Sequence, residues 1–112
     1  MHELGITRNI VAVVAEAAQG RRVLKVNLDL GRLSGVLAQA VAFCFDEVSK
    51  GTPLEGARLV IRELEGRGRC RKCQAELATP TLFTACPCGG RDLERLSGEE
   101  LQIKSMELEE AA

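Results

Sequence analysis

The sequence is poor in the side chains on which many metalloenzymes and nucleic-acid-binding proteins depend. Its 112 residues include one histidine, His2, together with three Phe and no Trp or Tyr. A single imidazole excludes sites that take two or more histidines from one chain, such as H-E-x-x-H hydrolases and two-histidine zinc fingers. The lack of Trp and Tyr argues against a surface on which nucleic-acid bases stack.

Net charge and long apolar runs are also nearly absent. The chain has 15 Lys and Arg against 16 Asp and Glu, which gives a formal net charge of −1. No global field therefore attracts nucleic acid or an anionic membrane. The first ten residues, MHELGITRNI, lack the basic and apolar regions of a secretory signal, and no apolar run approaches the roughly 20 residues that span a bilayer. We expect a cytoplasmic protein with one modest core and no membrane association.

Two segments have the apolar spacing of α-helices, residues 4–19 and 36–50. Cys44 lies on the apolar face of the second segment, where a buried small hydrophobe is the favoured interpretation. The remaining expected core positions are Ile10, Val13, Val14 and Ala17 in the first helix, and Leu37, Val41, Phe45 and Val48 in the second.

Three segments alternate as β-strands do, residues 24–30, 57–64 and 101–108. The phase of the third segment breaks at Ser105, which predicts a bulge or a fraying end. The order of elements predicts an α+β fold with two helices on one face of a small three-stranded sheet. Residues 1–64 and 97–112 would form this domain, and residues 65–96, which are glycine-rich and basic, would be a lobe inserted between two strands. The expected buried face of the first strand is Leu24, Val26, Leu28 and Leu30.

The inserted segment contains four of the five cysteines, Cys70, Cys73, Cys86 and Cys88. Their spacing is C-x2-C, twelve residues, then C-x-C. In a reducing compartment, clustered pairs indicate metal ligation more than structural disulfides. Four thiolates from two tight turns suit a closed tetrahedral site that stabilises a zinc-ribbon-like lobe, with zinc as the first choice and iron as the second. A redox or disulfide motif is the third interpretation.

The position of His2 gives it a second meaning. An imidazole one residue from a free terminal amine can combine its ring nitrogen, the amine and deprotonated backbone amides into a planar nitrogen site, which suits Ni(II) or Cu(II). The alternative is a frayed terminal histidine with no metal.

Together, the initial MHE, the two late cysteine pairs and the segment LSGEELQIKSMEL from Leu96 resemble the HypA/HybF family of hydrogenase maturation nickel chaperones. The resemblance covers essentially the whole chain in block order. It implies a protein that is not an enzyme, that carries a labile Ni(II) at its N-terminus and that holds a structural Zn(II). It also implies delivery with the GTPase HypB to the large subunit of [NiFe]-hydrogenase, and to urease in some organisms. A homodimer is possible, and the sequence does not determine the oligomeric state.

By position, the resemblance implies nickel binding by Met1, His2 and Glu3. The His2 side chain would be a ligand, and Met1 and Glu3 would contribute the amine and backbone nitrogens. Cys70, Cys73, Cys86 and Cys88 would bind zinc. The family's second pair is C-P-x-C-G, whereas this chain has C-P-C-G-G, one residue shorter, so Cys88 is the ligand most in need of a structural test.

The alternative function is a zinc-ribbon module that binds nucleic acid or protein. Its basic residues would be Arg67, Arg69, Arg71, Lys72 and Arg91. Without stacking aromatics, nucleic acid is the weaker partner. The sequence also lacks a G-x-x-x-x-G-K-[ST] loop, so nucleotide hydrolysis would belong to a partner.

Overall fold

The computed structural model describes residues 2–110. These residues form two three-stranded sheets. Two helices cover the first sheet, and the second sheet is formed by the segment between two strands of the first. The elements are α1 His2–Ala18, β1 Val23–Gly31, α2 Ala38–Ser49, β2 Arg58–Leu64, β3 Arg67–Cys70, β4 Glu76–Ala78, β5 Leu93–Ser97 and β6 Leu101–Leu108.

The first sheet has the strand order β2-β1-β6, with β1 parallel to β2 and antiparallel to β6. The helices α1 and α2 pack against each other and cover one face of this sheet, which confirms the predicted α+β arrangement. Burial of apolar side chains between these two layers supplies most of the stabilisation. The buried cluster is Ile10, Val11, Val14, Ala18, Val23, Val26, Leu28, Val41, Phe45, Leu54 and Ala57.

The buried faces of the helices differ from the prediction by part of a turn. In α1, Val11 and Ala18 are buried, whereas Val13 is half exposed and Ala17 is exposed. The helix packs against both α2 and the sheet, so its buried face is centred between the two, and Val13 lies at the edge. Leu37 precedes the first turn of α2 and is exposed rather than buried. Cys44 is partly buried.

Bulges correct the expected burial along β1. The pairing of β1 with β6 shifts between Val23 and Lys25, so Leu24 is left out of the ladder and is exposed, while Val23 points into the core. A second shift lies beside Ser105: Asn27 pairs with Ser105 and Leu28 with Ile103, so Lys104 is the extra residue of a bulge, one of the two alternatives that the sequence predicted. That prediction is confirmed.

The face of this sheet that points away from the helices is polar. Asp29 is buried beneath the Arg62 guanidinium, which donates to it twice, from Nε to Oδ1 at 3.0 Å and from Nη2 to Oδ2 at 2.9 Å. Asn27 Nδ2 donates to Ser105 Oγ at 3.0 Å. Cross-strand polar pairs of this kind stabilise a sheet face that is exposed to solvent.

The second sheet has the order β4-β3-β5 and is antiparallel throughout. Its three strands were not predicted, since their residues carry no apolar alternation. Among the described residues of this lobe, the only buried hydrophobic side chains are Cys70 and Cys86. The molecule measures 59 × 29 × 17 Å with a radius of gyration of 17.4 Å, well above the roughly 13 Å expected for one compact domain of this length.

Three glycines pack where the two sheets meet. A Cβ on Gly31 would lie 2.0 Å from the Gly98 carbonyl oxygen, and one on Gly98 would lie 2.7 Å from the Gly66 Cα. Gly98 also has φ +117°, which side chains disfavour. The Leu33 N–H donates to the Gly98 carbonyl at 2.7 Å across the same junction. Backbones therefore approach each other here at distances that only glycine allows.

A membrane-spanning helix is not found in residues 2–110.

Candidate metal centre

The sulfur atoms of Cys70, Cys73, Cys86 and Cys88 all lie within 4.8 Å of one another. Two of the separations cross between the pairs, 3.6 Å from Cys70 Sγ to Cys88 Sγ and 3.5 Å from Cys73 Sγ to Cys86 Sγ. Four sulfurs about 2.3 Å from one tetrahedral zinc would be about 3.8 Å apart. The cluster is therefore the right size for one such cation, and the sulfurs are too far apart for disulfides.

Each cysteine pair sits on its own tight turn. In the first, the Cys70 N–H donates to the Ala75 carbonyl at 2.9 Å, and the Gln74 N–H donates to the Cys70 carbonyl at 2.8 Å. In the second, the Cys86 N–H donates to the Gly90 carbonyl at 2.8 Å. These bonds close the turns, so that the two cysteines of each pair direct their sulfur atoms into the same four-sulfur cluster.

Glycines allow the shortened second pair to reach the cluster. Gly89 has φ +95°, a conformation that favours glycine. A Cβ on Gly90 would lie 2.7 Å from Cys70 Sγ, and the Gly90 N–H donates to Cys88 Sγ at 3.4 Å. The chain thus reaches with one spacer residue what the longer form of the motif reaches with two, and Cys88 lies in the cluster.

Burial and backbone donors make the four thiols unequal. Cys70 and Cys86 are buried, while Cys73 and Cys88 are exposed. The backbone N–H groups of Cys73 and Lys72 lower the pKa of Cys70 to about 7, against the opposing effect of burial. For Cys86, the Cys88 N–H acts downward, but desolvation and the neighbouring thiols outweigh it and raise the pKa to about 12. Full deprotonation therefore needs a cation in the cluster.

The N-terminal candidates lie at the start of α1. His2 is the first residue of the helix, two residues earlier than predicted, and its side chain is 65% exposed. Its Nε2 is 3.5 Å from Oε2 of Glu3, whose side chain is nearly buried. Met1 lies outside the described residues. The structure brings His2 and Glu3 together.

Glu3 joins the starts of the two helices. Its Oε2 accepts a hydrogen bond from the Leu37 N–H at 3.3 Å, at the N-cap of α2, where no side chain caps the helix. Its pKa is lowered by its own backbone N–H first and by that of Leu37 next. A carboxylate is favourable beside the positive ends of two helix dipoles. This contact could not be predicted from the sequence, because Glu3 and Leu37 are 34 residues apart along the chain.

Two of the five basic residues of the alternative function, Arg69 and Arg71, are paired with carboxylates. Arg69 contacts Glu76 at 2.6 Å and Glu94 at 3.5 Å, and Arg71 contacts Asp92 at 3.3 Å. Such pairs reduce the positive field that phosphates would meet. The pairing therefore weakens the field of Arg69 and Arg71 only.

The fold and the four-sulfur cluster define a small two-lobed metal-binding protein. Comparison with known proteins gives its family. The family model described as hydrogenase/urease nickel incorporation, metallochaperone, hypA matches residues 1–108. The chain therefore belongs to the HypA family of nickel metallochaperones, and it is a maturation factor rather than an enzyme.

Individual relatives agree with this assignment. The hydrogenase maturation factor HypA of Nostoc sp. is 54% identical over 110 residues, which cover 98% of this chain and 97% of the relative. That of Geotalea uraniireducens is 46% identical over 110 residues, covering 97% of this chain and all of the relative, 100%. The predicted family is confirmed.

Solved structures show the same fold at low sequence identity. The solution structure of the Ni metallochaperone HypA from Helicobacter pylori matches with a TM-score of 0.66 and 16% identity, over 95% of this chain and 96% of that one. A second solution structure, of a HypA protein, matches with a TM-score of 0.72 and 20% identity, over 96% of each chain.

Proposed function

We propose that this chain binds Ni(II) through Met1, His2 and Glu3 and delivers it during maturation of [NiFe]-hydrogenase. One observation carries the proposal: the chain's single imidazole is exposed at the first residue of α1, in contact with a nearly buried carboxylate. An exposed imidazole can change ligands readily, which a carrier that must release its cargo requires. The proposal extends to a cytoplasmic location and, in some hosts, to urease as a recipient.

Helix geometry supports backbone nitrogens as ligands. The first N–H groups of an α-helix have no acceptor within the helix, so the first turn can supply amide nitrogens with little loss of helical bonding. The positive end of the helix dipole opposes a cation at this position. The Glu3 carboxylate, 3.5 Å from the imidazole, offsets that field and orients the ring.

Residues 65–96 are proposed as a separate structural lobe in which Cys70, Cys73, Cys86 and Cys88 bind Zn(II). Zinc would supply tetrahedral cross-linking of the two cysteine turns, and the residues would hold it without a vacant position for chemistry. The tight, thiolate-rich site is unsuited to rapid release, so cargo nickel is assigned to the N-terminus.

The partners that follow from this proposal are the GTPase HypB and the large subunit of [NiFe]-hydrogenase. The chain has no nucleotide-binding loop of its own, so a partner must supply GTP hydrolysis. Family membership supports contact with the hydrogenase maturation machinery.

The nickel proposal is tested by titrating Ni(II) into protein with its native N-terminus. Calorimetry and the visible absorption of planar Ni(II) should report one site. His2→Ala removes the only imidazole, and a short Gly-Ser extension displaces the terminal amine, so each should abolish that spectrum. Glu16→Gln, which removes an exposed carboxylate from the same helix, is the matched control and should bind as the native protein does. Equal binding by all variants would refute the site.

The zinc proposal is tested by metal analysis of Cys88→Ser and Cys44→Ser. Loss of zinc or of lobe stability is expected for Cys88→Ser alone, since Cys44 lies in α2, outside the cluster. Unchanged zinc stoichiometry and stability in Cys88→Ser would remove that residue from the site.

A further inference from the structure

The solvent side of α2 carries one large apolar side chain. The exposed residues of this helix and its C-cap lie along one stripe and are Gln39, Ala42, Phe43, Asp46, Glu47 and Lys50. Phe43 is 83% exposed in the middle of the stripe. Together with Asp46 and Glu47, its ring lines an open cavity of about 520 Å³. The ring is therefore outside the core and accessible to another molecule.

A second exposed apolar side chain lies at the start of α2. Leu37 is 68% exposed, and it lines an open pocket of about 230 Å³ with Ala38, Gln39 and Glu63. Gln39 and Phe43 are one helical turn apart, so their side chains are neighbours. The pocket and the cavity beside Phe43 therefore form one surface. We call it the α2 face, and its residues are Leu37, Gln39, Phe43, Asp46, Glu47 and Glu63.

The α2 face begins beside the proposed nickel site. The Leu37 N–H donates to Glu3 Oε2 at 3.3 Å, and the same oxygen lies 3.5 Å from His2 Nε2. Phe43 follows six residues later, about 9 Å along the helix at 1.5 Å per residue. A protein interface of ordinary size covers roughly 800 Å² on each partner. A protein that reaches the His2 imidazole over such an area also contacts the start of α2.

Charge on the α2 face favours a basic partner. Glu47 is paired with Lys50 at 2.8 Å, whereas Asp46 and Glu63 form no ion pair among residues 2–110. Arg32 follows β1 at the same end of the sheet as Glu63, and even with Lys50 it leaves the carboxylates in excess. Carboxylates repel phosphates and anionic lipids and attract basic side chains. An apolar surface with this margin fits a protein whose apolar contact residues are bordered by Arg or Lys.

We propose that the nickel recipient docks on the α2 face, which it meets with an apolar side chain bordered by Arg or Lys. Direct transfer of Ni(II) requires ligand atoms of both proteins to reach one cation, so the recipient must lie against the residues around His2. Leu37 and Phe43 supply apolar contacts there, and the carboxylates orient a basic partner. The inference rests on the proposed function, since it names the docking surface for the recipient of that nickel.

The first experiment measures binding of the full, zinc-loaded chain to a purified, nickel-free hydrogenase large subunit. Leu37→Ala and Phe43→Ala should each raise the dissociation constant at least about fivefold, because each removes an apolar contact. Leu24→Ala is the control and should leave it within about twofold. Leu24 is 49% exposed and lies about 20 Å along β1 from Leu30, the strand partner of Glu63.

Reversal of one charge tests the acidic margin. Glu63→Lys should weaken binding about tenfold at low salt and less at high salt, because ions screen exposed charges. Glu110→Lys makes the same change at an exposed residue beyond β6, whose end pairs with Val23 at the opposite end of the sheet. This variant should bind within about twofold of the native protein at every salt concentration.

Nickel transfer distinguishes docking from release. Nickel-loaded Leu37→Ala and Phe43→Ala should keep the native visible spectrum and far-UV dichroism. EDTA should remove their nickel at the native rate, because a small chelator needs no docking surface. Transfer to the large subunit, at concentrations below the dissociation constant, should slow by the same factor by which binding weakens.

Native binding by both Leu37→Ala and Phe43→Ala, or an equal loss in Leu24→Ala, would overturn the proposal. Variants that bind the purified GTPase HypB more weakly but the large subunit normally would also overturn it, since the α2 face would then belong to the GTPase. A native chain that binds no nickel at its N-terminus refutes the proposed function, whereas binding of the nickel-free chain still decides whether the large subunit uses the α2 face.

Discussion

The two sheets of this protein are stabilised by different chemistry. The helix-covered sheet buries an apolar cluster that includes Phe45, Leu28 and Val26. In the cysteine lobe, the buried hydrophobic side chains among the described residues are two cysteines, Cys70 and Cys86. We therefore expect the first region to fold on burial alone and the second to need a metal that joins its four sulfurs. If this expectation holds, the two regions can be perturbed separately.

Removal of zinc should have the largest effect and should fall on one region. A strong chelator at neutral pH is expected to unfold the lobe, since structural zinc contributes roughly 10–16 kcal/mol in comparable small sites. Amide hydrogen exchange should show lost protection in β3 and β5, with protection retained in α1 and β1. Adding zinc back should restore it. Lobe amides that stay protected without metal would show that the lobe has a sufficient core of its own.

Truncation of the apolar core is the converse experiment. Phe45 is 2% exposed in α2, so Phe45→Ala should reduce the free energy of unfolding of the helix-covered sheet by about 3–5 kcal/mol. The exposed Phe43 provides the control, and Phe43→Ala should change it by about 0.5 kcal/mol or less. Urea unfolding followed by far-UV dichroism measures this effect, and zinc content should be unaffected. Zinc release at the same urea midpoint would mean that both regions unfold as one unit.

The contrast between an apolar core and a cysteine cluster also explains which elements could be predicted from the sequence. Apolar periodicity identified both helices and all three strands of the helix-covered sheet, because burial imposes that periodicity. It failed for Val13 and Leu24, whose exposure depends on helix packing and on a bulge. Neither the packing of a helix nor the position of this bulge can be predicted from the local sequence.

In the lobe, cysteine spacing identified the cluster but not the sheet around it. The β3 sequence, RGRC, has no apolar alternation, since its pairing depends on the neighbouring strands and on the two cysteine turns. The contact between Glu3 and the Leu37 N–H was also beyond prediction, because it depends on how α1 and α2 pack.

The third prediction concerns the close approach of Gly31, Gly66 and Gly98 where the two sheets meet. Gly31→Ala would place a Cβ 2.0 Å from a backbone oxygen of Gly98, so backbone must move, at a cost of about 1–3 kcal/mol. Small-angle scattering should show an altered distribution of shapes while each sheet keeps its amide spectrum. Gly5→Ala is the control: nothing lies within 4 Å of its Cβ position in α1, and it should stabilise the helix by roughly 0.5–1 kcal/mol. An unchanged scattering profile in Gly31→Ala would show that the junction does not set the orientation.

Lowering the pH should have the smallest effect on the free energy of unfolding, and it should affect the two regions at different pH values. Protons compete with metal for all four thiolates, including Cys86, whose pKa is raised to about 12 without metal, so zinc affinity falls as the pH drops below neutral. In the sheet, hydrogen bonds from Arg62 lower the pKa of Asp29.

A lowered pKa in the folded state stabilises the protein above the ordinary carboxyl range, and that contribution is lost as the pH falls below about 4. Arg62 is mostly exposed, so screening keeps the effect small. Zinc release should therefore precede acid unfolding of the helix-covered sheet, and Asp29→Asn should alter only the second step. A zinc indicator and far-UV dichroism recorded over one acid titration would test this order; coincident transitions would show that the sheet depends on the lobe's metal.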